Sequence, residues 1–283
     1  SDEIEGGSSI ELTPVAADDS LTQLVPHLAN AAVFSANFTA EQAKAMAKNQ
    51  LALAAYNSDN ELISASYVQV AKVLDDLYAS GDNSALDAQL GVRYNGNDVS
   101  VAVWAPTARS VKLKLYNASK AATATHNMTA DATTGVWRYN GSRSALDRQF
   151  YRFEVEVYHP LTRKVEMIEA TDPYSVNVST NGRYSQFVDL NDAETKPEGW
   201  DSREVPVVAN PTDIVIYEGH VRDFSIRDQS TPAAHRGKYL AFAEADSAPV
   251  RHLRKLAENG LTHFHVLPLN DQANINEVAN RRI

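Results

Sequence analysis

Residues 99–116 read VSVAVWAPTARSVKLKLY, two alternating apolar runs joined by a short turn over Pro106-Thr107-Ala108-Arg109-Ser110. Val99, Val101 and Val103 fall on one face of the first run, and Val111, Leu113 and Leu115 on one face of the second. A period of two is the signature of half-buried strands, so the pair predicts a β-sheet core. Trp104 closes the first strand, and Pro106, which has no amide hydrogen to give a central ladder, forces a turn or an edge. The large indole beside Pro106 suits a core position that fixes this corner.

The same pattern extends outward from about Leu90 to Leu190. Tyr151, Phe153, Val155 and Val157 alternate with Arg152, Glu154, Glu156 and Tyr158, giving one apolar and one wet face. His159-Pro160-Leu161-Thr162 then turns the chain into a returning strand over 165–170. Several short strands within about a hundred residues predict a β-sandwich of immunoglobulin-like size. Asn191 to Pro211, with Lys196-Pro197-Glu198-Gly199-Trp200 inside it, reads as a linker.

Upstream, residues 1–20 are acidic and Gly/Ser-containing, the composition of a tail or linker. Thr39 and Gln42 fit a capping box, with a helix following from about Ala40 to Lys48. Runs 51–56 and 62–67, separated by Asn57-Ser58-Asp59-Asn60, predict a hairpin. Val70, Val73, Leu74, Leu77 and Tyr78 recur at helical spacing. A two-stranded hairpin is marginal by itself, so this segment is expected to pack on something else or to have lost neighbouring strands.

The chain changes character at Asp213. Ile214, Val215, Ile216 and Tyr217 form a continuous apolar run, the pattern of a strand buried on both faces. Residues 249–258 follow with one apolar helical face, stopped at Asn259-Gly260, and residues 261–267 form a further strand ended by Pro268. Strand, helix and strand in this order predict a βαβ unit with parallel strands.

Composition narrows the chemistry. A formal charge of −10 argues against a non-specific nucleic-acid binder, which needs clustered cations. Without cysteine there is no disulfide framework, thiol nucleophile or Cys-based zinc site. No apolar run is long enough to span a bilayer, so no transmembrane segment is expected. Dinucleotide, phosphate-loop and serine-hydrolase motifs are all missing.

Four ordered motifs carry a family resemblance: 103–108 (VWAPTA), 217–225 (YEGHVRDFS), 236–240 (RGKYL) and 260–268 (GLTHFHVLP). Together they resemble bacterial pullulanases and limit dextrinases, debranching enzymes of glycoside hydrolase family 13. Pro26-His27-Leu28, Gln50-Leu51-Ala52, Val68-Gln69 and 73–78 (VLDDLY) extend the likeness upstream. The resemblance implies a mainly β protein with an α/β end. Residues 1–20 would be a tail or linker, 21–89 the closing part of the domain that precedes the sandwich, and 90–200 a family 48 carbohydrate-binding module. Residues 201–212 would be a linker and 213–283 the start of an α-amylase-type (β/α)8 barrel.

The resemblance also sets expectations about activity. A complete barrel takes roughly 250 residues, and a retaining glycosidase needs two carboxylates flanking the scissile bond. The family's Tyr-Asn-Trp-Gly-Tyr stretch and both of its carboxylate motifs are missing from this chain. It therefore reads as a C-terminally truncated, non-catalytic portion of an α-1,6-debranching enzyme, predicted inactive alone. A free-standing α-glucan-binding module and a ligand-free scaffold are the alternatives. The implied partner is pullulan, amylopectin or glycogen, in a secreted, cell-surface or periplasmic setting. No cofactor is expected of this chain; the resemblance leaves room for calcium only in the full-length enzymes of the family.

Trp137, Tyr139 and Tyr158 are the candidate glycan contacts, since an aromatic ring can stack on the apolar face of a sugar. Trp137 and Tyr139 share one strand face, and Tyr158 lies on the wet side of its strand. Glu218, Asp223 and Asp228 sit near a strand end where a catalytic or calcium role could be imagined, but beside Arg222 and Arg227 they read as structural ion pairs or simply solvated carboxylates. His263 and His265 alternate as two metal ligands would, but without further ligands they read as polar residues at a barrel interior or rim. No catalytic or metal-binding residue is assigned.

Overall fold

The structure is a computed structural model that describes residues 6–82, 84–270, 275–278 and 281–282. The chain forms two compact units, residues 1–179 with 183–189 and residues 180–182 with 190–283.

The first unit opens with β1 (Thr13–Val15), α1 (Asp19–Leu24) and β2 (Val33–Ser35), the two strands pairing antiparallel. β1 lies inside the stretch read as a tail. Its three residues are all exposed, so no buried face marks it in the sequence. α2 (Ala40–Met46) begins at a capping box: Thr39 Oγ1 accepts from the Gln42 amide at 3.2 Å, and the Thr39 amide donates to Gln42 Oε1 at 2.8 Å. β3 (Ala52–Tyr56) and β4 (Leu62–Tyr67) form the expected hairpin. Its turn is held by Asn57 Oδ1, which accepts from the amides of Asp59 and Glu61 at 3.0 and 2.8 Å. α3 (Ala71–Ala79) follows and buries Tyr78.

Next comes a sandwich of two antiparallel sheets. Its strands are β5 (Gly91–Asn95), β6 (Asp98–Trp104), β7 (Ser110–Tyr116), β8 (Ala122–Asn127), β9 (Thr129–Ala130) and β10 (Val136–Ser142). After a single helical turn, α4 (Arg143–Leu146), come β11 (Phe150–His159), β12 (Lys164–Ala170) and β13 (Ser185–Gln186). One sheet runs β5-β6-β10-β9; the other runs β12-β11-β7-β8, with β13 beside the start of β11. Val99, Val101 and Val103 face Val111, Leu113, Leu115, Tyr151, Phe153 and Phe187 in one core, which Leu146 and Met128 complete. Each fully buried aliphatic or aromatic side chain contributes about 1.5–3 kcal/mol, so this cluster is the main support of the unit. Trp104 is half-buried, and its indole N–H donates to the Thr134 carbonyl at 2.9 Å.

The upstream helices dock on the turn before β10. Lys44 donates to the Ala132 carbonyl at 2.8 Å and lies 4.6 Å over the Tyr78 ring. Gly135 adopts φ +68°, and a Cβ there would stand 2.7 Å from Pro106 Cβ and 3.1 Å from Tyr78 Cδ1. Arg109 Nη2 reaches Asn49 Oδ1 at 2.5 Å. The helices of this segment thus have a packing partner, whereas the β3–β4 hairpin stays largely exposed, with Leu53, Tyr56, Ile63 and Tyr67 all open to solvent.

The second unit contains β14 (Ile216–Gly219), α5 (Val221–Ser225), α6 (Ala248–Glu258) and β15 (His263–Val266). β14 and β15 pair in parallel, with α6 between them in sequence. Ser247 caps α6, and Gly260, at φ +103°, follows its end. The aromatic packing joins separate motifs: Phe224 stacks on Phe242 at 4.1 Å, and both meet Phe264, at 6.2 and 5.6 Å. Gly237, at φ +68°, donates its amide to the buried Ser225 Oγ at 2.8 Å. The apolar run 214–217 does not sit between two layers as expected. Ile214, Val215, Ile216 and Tyr217 are 38–61 % exposed, and strand geometry begins only at Ile216. Ile216 and Tyr217 point to opposite faces of β14 and both are exposed, so neither face of this two-stranded sheet is fully covered among the described residues.

Candidate functional site

The three aromatic candidates sit on two different surfaces. Trp137 pairs with Val103 and Tyr139 with Val101, so both point to the inner side of their sheet and pack against the core. Their shared face was legible from the alternation; its inward direction was not. The Trp137 indole N–H donates to the Ala105 carbonyl at 3.0 Å. Tyr139 stacks on His126 from the facing sheet, 4.7 Å apart at 26°. β9 covers β10 only at Trp137 and Arg138, so the half-buried Tyr139–His126 pair lies at the margin between the sheets.

Tyr158 lies on the outer face of the second sheet, opposite Val165. Val165 and Met167 of that hairpin are both exposed. The Tyr158 ring is half-buried, while its hydroxyl is enclosed and has no hydrogen-bond partner among the described residues.

The rest of that outer face is cross-linked. Lys112 pairs with Glu154 at 3.0 Å, and Ser110 Oγ donates to Glu156 at 3.1 Å. Glu169 receives Lys114 Nζ at 2.5 Å, Arg152 Nη1 at 2.8 Å and the Tyr116 hydroxyl at 3.4 Å. The Lys114 ammonium, with Arg152 behind it, holds the Glu169 carboxyl below its ordinary range, and Glu169 in turn raises Lys114. Tyr184 stands edge-on to Tyr116 at 4.8 Å. Lys114 and Glu169 lie 55 residues apart, so their pairing becomes visible only once β7, β11 and β12 are in register.

In the second unit, His265 Nδ1 and Glu218 Oε2 lie 3.0 Å apart on neighbouring parallel strands, both well exposed. Arg222 pairs with its neighbour Asp223 at 3.2 Å. Asp228 Oδ2 accepts from the Ser230 hydroxyl and from the Thr231 amide and hydroxyl, each at 2.7 Å. The Thr231 and Ser230 hydroxyls lower its pKa to about 2. Among the described residues no group of three His, Asp or Glu could hold a metal ion, and no helix is long and apolar enough to cross a membrane.

The family model of carbohydrate-binding module 48 (isoamylase N-terminal domain) matches residues 89–175, and that of the pullulanase N2 domain matches residues 1–76. A pullulanase of Klebsiella pneumoniae is 41 % identical over 276 residues, covering 96 % of this chain and 25 % of the relative. Chloroplastic pullulanase 1 of Arabidopsis thaliana is 38 % identical over 225 residues, covering 79 % and 23 %. Among solved structures, Klebsiella pneumoniae pullulanase complexed with maltotriose superposes with a TM-score of 0.88 at 40 % identity, covering 95 % of this chain and 26 % of that one. The sandwich is therefore a carbohydrate-binding-module domain of family 48. With its pullulanase N2 domain and its likeness over nearly all of its length, the chain belongs to the pullulanases. It spans about a quarter of the length of the curated relatives it matches.

Proposed function

We propose that this chain is a non-catalytic, α-glucan-binding portion of a pullulanase-type protein whose activity is hydrolysis of α-1,6 branches. The observation that carries the reading is the 40 % identity and 0.88 TM-score, over 95 % of the chain, to a pullulanase structure holding maltotriose. On this reading residues 90–200 act as the carbohydrate-binding module and residues 213 onward as the first strands of a (β/α)8 barrel. The parallel β14–β15 pair and the exposed side chains of 214–217 support the barrel assignment, because further strands would cover them. The same exposed strand favours a portion of a larger enzyme over a free-standing module.

Of the aromatic candidates, Tyr158 offers a ring on an outer face, and the Tyr139–His126 pair offers a ring edge at the sandwich margin. Trp137 serves this surface from behind, by packing. Affinity electrophoresis of the chain through gels with and without glycogen tests binding, and a reducing-end assay on pullulan tests the absence of catalysis. Retardation that weakens in Tyr158→Ala, with no reducing ends released, is the expected result. Unchanged migration in glycogen overturns the binding assignment, and release of reducing ends overturns the non-catalytic one.

A further inference from the structure

The two outer faces of the sandwich treat their polar side chains differently. On the second sheet Lys112, Lys114, Arg152, Glu154 and Glu169 are engaged with one another. On the first sheet an open groove of about 700 Å3 is lined by Gln89, Arg93, Asn95, Asp98, Ser100 and Asn140. No ion pair or side-chain hydrogen bond engages these six side chains among the described residues. Arg93, Ser100 and Asn140 are mutual register partners and stand in one row across β5, β6 and β10. Neighbouring strands lie about 4.8 Å apart, so the row spans about 10 Å. Asn95 and Asp98 form the next row, about 7 Å along the strands. At the opposite end Arg138 donates to the Gln89 carbonyl at 3.2 Å, beside the fully buried Ala102.

We propose that this groove is a glucan-binding subsite separate from the aromatic candidates, with Arg93, Ser100 and Asn140 as its hydrogen-bonding row. These six side chains carry one cation, one anion, two carboxamides of asparagine, one of glutamine and a hydroxyl; Tyr94, which also lines the groove, gives its hydroxyl to Asp147 at 2.8 Å. That balance suits a neutral polyol and gives an anion no net attraction. Guanidinium, carboxylate and carboxamide groups each present two hydrogen-bonding positions in a plane, which matches adjacent hydroxyls on a sugar ring. The size falls in the range of small-ligand sites. The sugar's identity as an α-glucan rests on the function proposed above; the location of the subsite rests on the unengaged row.

The test is titration of the 15N-labelled, deuterated chain with maltohexaose, followed by amide shifts, together with glycogen-gel retardation of Arg93→Ala and Asn140→Ala. Perturbed amides along 93–100 on β5 and β6, and affinity about fivefold weaker in each variant, are the expected result. Both side chains are exposed, so the variants should melt with the parent. Perturbation confined to the Tyr158 face or the Tyr139 margin, with both variants binding as the parent does, overturns the groove and leaves glucan binding standing. No perturbation at millimolar maltohexaose and no retardation in glycogen overturns both.

Discussion

The Tyr151 hydroxyl donates to Asp172 Oδ2 at 2.6 Å, with the tyrosine fully buried and the aspartate 3 % exposed. Asp172 also accepts the Tyr174 amide at 2.8 Å through Oδ1, and its own amide donates to Ser185 Oγ at 3.0 Å. Tyr151 and Ser185 are register partners on β11 and β13. One buried carboxyl thus ties the chain leaving β12 to the strand pair that closes this end of the sandwich. Burial pushes the Asp172 pKa up, against the pull of the Tyr151 hydrogen bond, and it pushes the Tyr151 phenol up as well.

Tyr151→Phe keeps the ring in the core but leaves the Asp172 carboxyl short of a donor. Loss of one partner from a buried polar pair costs about 1–3 kcal/mol. Urea unfolding should show a lower midpoint with an unchanged slope. A midpoint equal to that of the parent would mean that water replaces the phenol at Asp172.

Gly135→Ala places a Cβ in the left-handed region and 2.7 Å from Pro106. Either fault alone costs about 1 kcal/mol or more, and Pro106 belongs to the tight corner after β6, which yields little. The variant should lose about 2–3 kcal/mol by urea unfolding. It should also loosen the helices that dock there through Tyr78, seen as faster amide exchange in α3.

Asp228 gives the second unit a pH dependence of definite sign. Its folded pKa is about 2, against about 3.9 in an unfolded chain. The stabilisation is therefore complete above about pH 5 and is lost progressively as the pH falls through the folded pKa toward about pH 1. Asp228→Asn keeps one acceptor oxygen and removes the charge. The gap between the melting curves of parent and variant at pH 6 should shrink steadily below about pH 5 and be small by about pH 2. A gap as large at about pH 2 as at pH 6 would trace the effect to geometry and leave no role for ionisation.

Local period and turn chemistry were enough to read the hairpins and the sandwich strands. Val99, Val101 and Val103 alternate with polar or small residues, Thr39 and Gln42 form the box their spacing announces, and Asn57 holds the turn it begins. Direction was harder. Trp137 and Tyr139 share a face by counting, but whether that face is inner or outer depends on pairing with Val103 and Val101, more than thirty residues away. The Glu169 network and the Arg93–Ser100–Asn140 row likewise join strands that only register brings together. At 214–217 the residues announce a buried strand, yet burial depends on neighbours beyond the two-stranded sheet described.

Trp137 and Tyr158 separate packing from recognition. Trp137 is half-buried against the core and donates its indole N–H to Ala105. Trp137→Ala should therefore cost about 2–3 kcal/mol, below the roughly 3–5 kcal/mol of a fully buried ring. Any loss of glucan retardation in that variant should vanish when the comparison is made at temperatures where it is fully folded. Tyr158 behaves in the opposite way. Its enclosed hydroxyl has no partner among the described residues, and an unpaired buried donor is a liability of about 1 kcal/mol or more. Tyr158→Phe should keep or raise the melting temperature while retaining the ring for a sugar, whereas Tyr158→Ala should weaken glycogen retardation. A drop in melting temperature for Tyr158→Phe would show that the hydroxyl is hydrogen-bonded in solution, to water or to a group that moves to meet it.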